Sequence, residues 1–266
     1  MMHEVSVIIM AGGLGKRMNS DLPKVLHKIN NEPMIVRIIK TVIGIDPKRI
    51  FIVVGKYKDI ISKTIDESNI DYEGDIEYIE QHTPQGTGHA IQCCRNKLLN
   101  IKYDKNRDGD TIDNILILSG DVPLISKNTI VEMLNKMINE KSNVSIIGCL
   151  LDNPHGYGRI IEKNNNFYKI IEEKDCTEEE RLVKNINAGI YIINQIYLCK
   201  YLQYITNNNS QKEYYLTDII EIIKKHELEK ITIYTITQDK QYEIMGVNTQ
   251  NQLQELECFI NSKNLN

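Results

Sequence analysis

Short β-branched runs alternate with amphipathic stretches through the first half of the chain. Val5–Met10 and residues 50–54, 76–79 and 115–118 read as strands, since Ile- and Val-rich runs of this length fit a buried pleat. Between them, Met34–Ile43 and residues 58–67, 88–98 and 128–139 read as helices, with Pro33 opening the first and Ser126 as the N-cap of the last. This βαβα order predicts an α/β fold with a mostly parallel central sheet covered on both faces. The unbroken apolar runs Ile8-Ile9-Met10 and Ile115-Leu116-Ile117-Leu118 belong to its doubly covered middle.

The second half is richer in strands. Val144–Leu150, residues 159–161, 168–171 and 186–193, and Ile231–Ile236 have strand character, with Asn164-Asn165-Asn166 as a hairpin turn. Helices are predicted over residues 217–225 and from 249 to about 260. No Pro- or Ser-rich linker interrupts the chain, so a single domain over residues 1–266 is expected.

Composition narrows the function classes. Hydrophobic residues make up 41% and charged residues 26% of the 266 positions, ordinary for a globular protein. A net charge of −4 gives no general pull toward nucleic acid or anionic membranes, which makes the cluster Lys16/Arg17/Lys24 more noticeable. Met1-Met2-His3-Glu4 lacks a basic leader pattern, and no apolar run approaches the roughly 20 residues of a membrane span. The six cysteines form no CxxC pair, and Cys93 and Cys94 are neighbours, so reduced thiols and a cytoplasmic location are expected.

The chemistry concentrates at strand ends. Ala11-Gly12-Gly13-Leu14-Gly15-Lys16-Arg17 follows the first strand, and Lys24 comes shortly after. Glycines let main-chain N–H groups approach a polyphosphate, and Arg17 and Lys24 can neutralise its charge, a pattern that points to a nucleoside triphosphate. A Walker loop is excluded because Met10 stands where its first glycine belongs, and a dinucleotide fingerprint because Met18 replaces the third glycine. Ser119-Gly120-Asp121 places a carboxylate at the tip of a buried strand, suited to Mg²⁺ or to capping the next turn. Asn248 can add a neutral oxygen or cap the helix beginning at 249. Gln81 carries both the donor and the acceptor needed to read a base edge, and Gly86-Thr87-Gly88 offers either close backbone approach or an N-cap. Asp104-x-Asn106-x-Asp108-Gly109-Asp110 matches half an EF-hand, but Ile115 stands where its closing Glu belongs, so a solvated loop is expected. No Ser/His/Asp or Cys/His arrangement appears, so the chemistry needs no protein nucleophile.

Taken together, these segments resemble the uridyltransferase domain of the bacterial bifunctional N-acetylglucosamine-1-phosphate uridyltransferases. The resemblance is carried by Ala-Gly-Gly-Leu-Gly-Lys-Arg-Met, Leu22-Pro-Lys24, Gly86-Thr87-Gly88-His89-Ala90, Gly120-Asp121-Val-Pro, Gly156-Tyr-Gly158-Arg, Asn187-Ala-Gly189, Glu213-Tyr-Tyr215-Leu-Thr217-Asp and Gly246-Val-Asn248. It implies a three-layer Rossmann-like nucleotide-diphospho-sugar transferase fold. Within it, residues 1–125 are mainly nucleotide-binding, 126–248 mainly sugar-phosphate-binding, and 249–262 form a C-terminal helix. It further implies UTP and N-acetylglucosamine-1-phosphate as substrates and Mg²⁺ as cofactor, with no nucleic acid or membrane partner.

By the same resemblance, Ala11, Gly12, Gly13, Leu14, Gly15, Lys16, Gln81, Gly86, Thr87 and Gly120 bind the nucleotide. Gly158, Glu172, Asn187, Tyr215 and Thr217 bind the sugar phosphate; Asp121 and Asn248 hold the metal; Arg17, Lys24 and Asp121 carry catalysis. Three departures stand out: Lys16 replaces a usual Thr, Ser119 replaces a usual Tyr, and the hexapeptide repeats of the family's second domain do not follow. The acetyltransferase activity and the β-helix trimer of that domain are therefore not expected. The alternatives are a transferase for glucose-1-phosphate or dTTP, and a non-catalytic nucleotide-sugar sensor.

Overall fold

A computed structural model describes residues 5–13, 15–101, 113–164, 166–228 and 230–263. The half EF-hand pattern at 104–110, Leu14 and the Lys16 side chain lie outside what is described.

The chain begins with β1 (Val5–Met10), a two-residue hairpin β2 (Lys28–Ile29) and β3 (Glu32–Pro33), and α1 (Met34–Ile43). Next come β4 (Arg49–Val54), α2 (Lys58–Asp66), β5 (Asp75–Glu80), α3 (Thr87–Leu99), β6 (Asn114–Ser119) and α4 (Lys127–Asn139). The later elements are β7 (Val144–Leu150), β8 (Gly158–Lys163), β9 (Asn166–Ile171), α5 (Glu178–Arg181), β10 (Asn185–Asn194), α6 (Gln195–Tyr201), α7 (Asp218–Glu227), β11 (Ile231–Ile236) and α8 (Gln250–Lys263). The expected strands and long helices are all present, most boundaries differing by a residue or two. Ser126 accepts the Thr129 N–H as the N-cap of α4, as expected. The short α5 and α6 were not foreseen: four and seven residues are too few to show a helical period.

One sheet runs β11-β7-β10-β6-β1-β4-β5, with β8 and β9 attached beside β10. Along that path only β10 runs against its neighbours, which makes the sheet mostly parallel. Strands from residues 1–125 and from the remainder therefore share one hydrogen-bonded ladder.

Period-two alternation explains the unbroken apolar strands. Val7 and Ile9 of β1, with Ile50, Ile52, Leu116 and Leu118, pack into one core under α1, α2 and α4. Ile8, Phe51, Val53, Ile115 and Ile117 point the other way, into a second core under α3, α6 and α7. Both faces of the central strands are buried, so most of their positions are apolar, with Ser6 and Asn114 as buried polar exceptions. A third cluster joins α8 to the N-terminal region through Met18, Ile29, Met34, Val247, Leu256 and Ile260. That contact brings the end of the chain against the segment after the glycine loop.

β1 and β6 lie side by side in register, Met10 opposite Ser119, so the two loops leaving their carboxyl ends are neighbours. The ladder continues into them: Ala11 N–H donates to Val53 O at 2.7 Å, Gly120 N–H to Met10 O at 2.9 Å and Gln81 N–H to Val54 O at 2.7 Å. Ligand sites of open α/β sheets form in such a crevice, beyond the carboxyl ends of strands where the winding reverses.

Candidate active site

Two cavities open at this crevice and share Met10, Thr87, Ser119 and Asp121, which makes them halves of one cleft. The first half, about 320 Å³, is lined by Gly12, Gly13, Lys24, Gln81, Gly86 and Glu213 among others. The second, about 210 Å³, is lined by Tyr157, Gly158, Glu172, Asn187, Thr217 and Asn248 among others.

Asp121 sits where they meet. Lys24 Nζ pairs with its carboxylate and also donates to Asn248 Oδ1 at 3.1 Å. Arg17 donates to the same amide oxygen at 3.0 Å. Asn248 is free for this because it does not cap α8. Thr249 Oγ1 accepts the Gln252 N–H at 3.2 Å, and Gln252 Oε1 accepts the N–H groups of Asn248 and Thr249 in return, a reciprocal cap. The capping alternative for Asn248 thus belongs to its neighbour. Asp121 likewise spends its carboxylate on Lys24 and on the Ser119 hydroxyl, which donates at 2.6 Å. The Val247 N–H donates to Asp121 O at 2.8 Å, tying Asn248 to the carboxylate's own loop.

On the first side, Gln81 is buried and its Nε2 contacts Gly86 O at 3.2 Å and His89 Nδ1 at 3.0 Å. A Cβ on Gly12 would sit 3.3 Å from Gln81 Oε1, so that oxygen faces the glycine loop. Gly86 has φ 106° and ψ 174°, a conformation open essentially only to glycine, and a Cβ there would lie 2.5 Å from Tyr214 O. The glycine therefore serves the docking of the 213–217 segment: Gly88 N–H donates to Tyr214 O at 2.7 Å and Tyr214 N–H to Gln85 O at 2.8 Å. Thr87 is the first helical residue, not the N-cap, and its hydroxyl accepts the Leu216 N–H at 3.0 Å. The two sides of the cleft are thus stitched together at α3.

On the second side, β10 bulges. Its pairing with β7 slips between Asn187 and Tyr191, and Gly189 takes φ 72° there. The bulge turns Ala188 and Gly189 toward the cavity, a use of bulges common beside active sites. Asn187 donates to the Tyr191 hydroxyl at 2.7 Å and accepts the Gly189 N–H at 3.2 Å, which fixes its amide. Glu172 accepts from the Thr217 hydroxyl at 3.0 Å. Burial pushes the Glu172 carboxyl above the usual carboxylate range, the Thr217 bond opposing and the Asp175 and Glu213 charges adding. Burial, then Glu172, raises Asp218 to about 6.

Of the residues expected at the site, Gly12, Gly13, Lys24, Gln81, Gly86, Thr87 and Asp121 line the first half. Gly158, Glu172, Asn187, Thr217 and Asn248 line the second. Arg17 joins through Asn248. Ala11, Gly15, Gly120 and Tyr215 line neither half. Tyr215 is buried, and burial together with the neighbouring Asp175 raises the pKa of its hydroxyl. Residues that sequence reasoning left aside are Tyr157 and Ser119 on the cavity wall and His89 behind Gln81. His89 and Tyr157 sit inside the Gly86–Ala90 and Gly156–Arg159 motifs, and Ser119 stands out as a departure from the family pattern, but sequence reasoning gives none of the three a site role.

The fold and this cleft define an α/β protein with a divided cleft beyond the carboxyl ends of its central strands. A family model described as nucleotidyl transferase matches residues 6–252, and the chain belongs to that family. It is accordingly a nucleotidyltransferase. A protein of Acanthamoeba polyphaga mimivirus named "Probable UDP-N-acetylglucosamine pyrophosphorylase" is 44% identical, the match covering 96% of each chain. The "Bifunctional protein GlmU" of Thermoanaerobacter pseudethanolicus is 40% identical over 98% of this chain but only 53% of its own length. The chain thus spans about half of this bifunctional relative. A Bacillus anthracis crystal structure, provisionally described as a glucose-1-phosphate thymidylyltransferase, shares the fold with a TM-score of 0.69 at 19% identity, covering 96% of this chain and 94% of that one.

Proposed function

We propose that the chain is a uridyltransferase that makes UDP-N-acetylglucosamine and pyrophosphate from UTP and N-acetylglucosamine-1-phosphate. The observation that carries this reading is the convergence of Arg17, Lys24, Asp121 and Asn248 where the two cavities meet. The name of the mimivirus relative supports UDP-N-acetylglucosamine as the product.

The first half of the cleft takes the nucleotide. Gly12 and Gly13 with Arg17 meet the triphosphate, and Gln81 Oε1 accepts the N3–H of uracil beside Gly86 and Thr87. The second half takes the sugar phosphate, with Glu172 and Asn187 reading hydroxyl and N-acetyl groups, Gly158 and Thr217 shaping the wall, and Tyr215 supporting it from behind.

Asp121 and Asn248 fit a cation: both offer an oxygen to the single Lys24 ammonium, so the two converge on one positive centre. One carboxylate and one neutral oxygen suit Mg²⁺, which fills its shell with phosphate and water oxygens. Bound there, Mg²⁺ would neutralise charge on the reacting phosphates. A sugar-phosphate oxygen forms the new bond to the α-phosphorus as the bond to the β-phosphate bridge breaks in line, and pyrophosphate carries the electron pair away. Positioning by the two half-sites and the fixed charges of Arg17 and Lys24 do the work.

The test is pyrophosphate release with Mg²⁺ across UTP, dTTP, CTP, ATP and GTP, each with N-acetylglucosamine-1-phosphate, glucosamine-1-phosphate or glucose-1-phosphate. Turnover centred on UTP with N-acetylglucosamine-1-phosphate is expected. Turnover centred on another pair would sink the substrate assignment.

A further inference from the structure

The side chain behind Gln81 has a role that the substrate list does not contain. Gln81 is 5% exposed, so its amide has little water to satisfy it and depends on protein partners. Its two ends differ. The nitrogen end faces Gly86 O at 3.2 Å and His89 Nδ1 at 3.0 Å, which uses both N–H bonds. The oxygen end faces the Gly12 wall of the nucleotide-side cavity. A backbone carbonyl can only accept, so Gly86 O sets which end is nitrogen, and the assignment does not rest on the histidine tautomer. With Nδ1 accepting, His89 carries its proton on Nε2. The ring itself leans on Tyr214, centroids 6.2 Å apart, and Tyr214 is clamped through its backbone to Gln85 and Gly88.

We propose that His89 is a positioning residue for base selection: it holds the Gln81 amide so that only the carbonyl oxygen meets the base. An acceptor at that point pairs with the N3–H of uracil or thymine. Cytosine presents a lone pair at N3, and two acceptors then face each other across a buried contact. To receive cytosine the amide must rotate by half a turn. That rotation aims Oε1 at Gly86 O and gives up both bonds of the nitrogen end. His89 thus acts on the base through Gln81 without touching it. The proposal rests on the base-reading role proposed for Gln81.

The experiment is steady-state kinetics of the whole chain with UTP, dTTP and CTP at saturating sugar phosphate, for the unaltered protein, His89→Leu and His89→Asn. Leucine removes the acceptor and keeps bulk against Tyr214. Asparagine can place Oδ1 near the position of Nδ1 and restore it. His89→Leu should raise KM for UTP and dTTP together, leave kcat within about twofold, and lower the UTP-to-CTP ratio of kcat/KM about tenfold. His89→Asn should recover most of that ratio. A purely structural role for His89 would lower activity with all three nucleotides alike, so an unchanged ratio in His89→Leu overturns the proposal. So does an Asn variant, folded by circular dichroism, that behaves as the Leu variant does. If the unaltered protein itself fails to prefer UTP over CTP, the reading of Gln81 falls first and His89 with it.

Discussion

Substituting alanine at three glycines separates backbone strain from steric clash. Gly86 has both: its φ of 106° with ψ of 174° is a region that costs an L residue about 1–3 kcal/mol, and its Cβ would sit 2.5 Å from Tyr214 O and 2.9 Å from Tyr214 N. Those atoms are backbone, so relief means moving the 213–217 segment, with loss of the Tyr214–Gln85 and Gly88–Tyr214 hydrogen bonds at about 1 kcal/mol each. Gly86→Ala should therefore destabilise by about 3–5 kcal/mol. Gly88 is helical, and its Cβ would lie 2.9 Å from Tyr214 O and 3.1 Å from the Tyr214 and Tyr215 carbonyl carbons; the better helix propensity of Ala offsets part of that clash, leaving about 1–2 kcal/mol. Gly189 has φ 72° with nothing within 4 Å of its Cβ, so strain alone applies, about 1 kcal/mol. Thermal unfolding followed by circular dichroism reads the series at about 2–4 °C per kcal/mol for a chain of this size. Gly86→Ala should show the largest drop and, because Gly86 O orients Gln81, also the largest rise in KM for the nucleotide. A Gly86 variant no less stable than the Gly189 variant would show that the 213–217 segment does not depend on this glycine.

Two further expectations concern charge. Burial and the neighbouring Glu172 raise Asp218 from 3.8 to about 6, so its charge disfavours folding: stability is lost as pH rises from about 4 through about 6, and Asp218→Asn restores it. The full displacement is worth about 3 kcal/mol, which partial exposure and the favourable N-terminus of α7 reduce to about 1. Urea unfolding should show that gain near pH 7.5 and none near pH 4; a gain of equal size at both refutes the electrostatic cause. At the junction of the cleft, Asp121→Ala should lower Mg²⁺-supported kcat by about a hundredfold or more, and an undiminished kcat would remove this carboxylate from the cation site.

Much of the fold was legible because its strands are buried on both faces. Runs such as Ile115-Leu116-Ile117-Leu118 feed two cores at once, which leaves little room for polar interruption. The glycine loop and Asp121 stood out because they follow such strands directly. Ser119 was read only as a missing aromatic ring, whereas its hydroxyl bonds the Asp121 carboxylate. A hydroxyl has many partners available, and sequence does not say which one packing will bring within reach. Asn248 was read as either an oxygen donor or the cap of α8, and the Thr249 hydroxyl with the Gln252 side chain takes the cap instead.

By itself the sequence determined the alternation of strands and helices, the glycine-rich and acidic loops at strand ends and the family motifs, since these depend on residues near one another along the chain. Only the tertiary structure decided what those loops do to each other. α8 closes on Met18, Ile29 and Met34, and so delivers Asn248 to Arg17 and Lys24 from the far end of the chain. Tyr214 docks on Gly86 and Gly88, which ties the 213–217 segment to the helix that begins beside Gln81. The bulge in β10 presents Asn187 and Gly189 at the cavity through a slip in pairing with β7. Each of these is a long-range contact chosen by the packing of three cores, and no local pattern of residues encodes it.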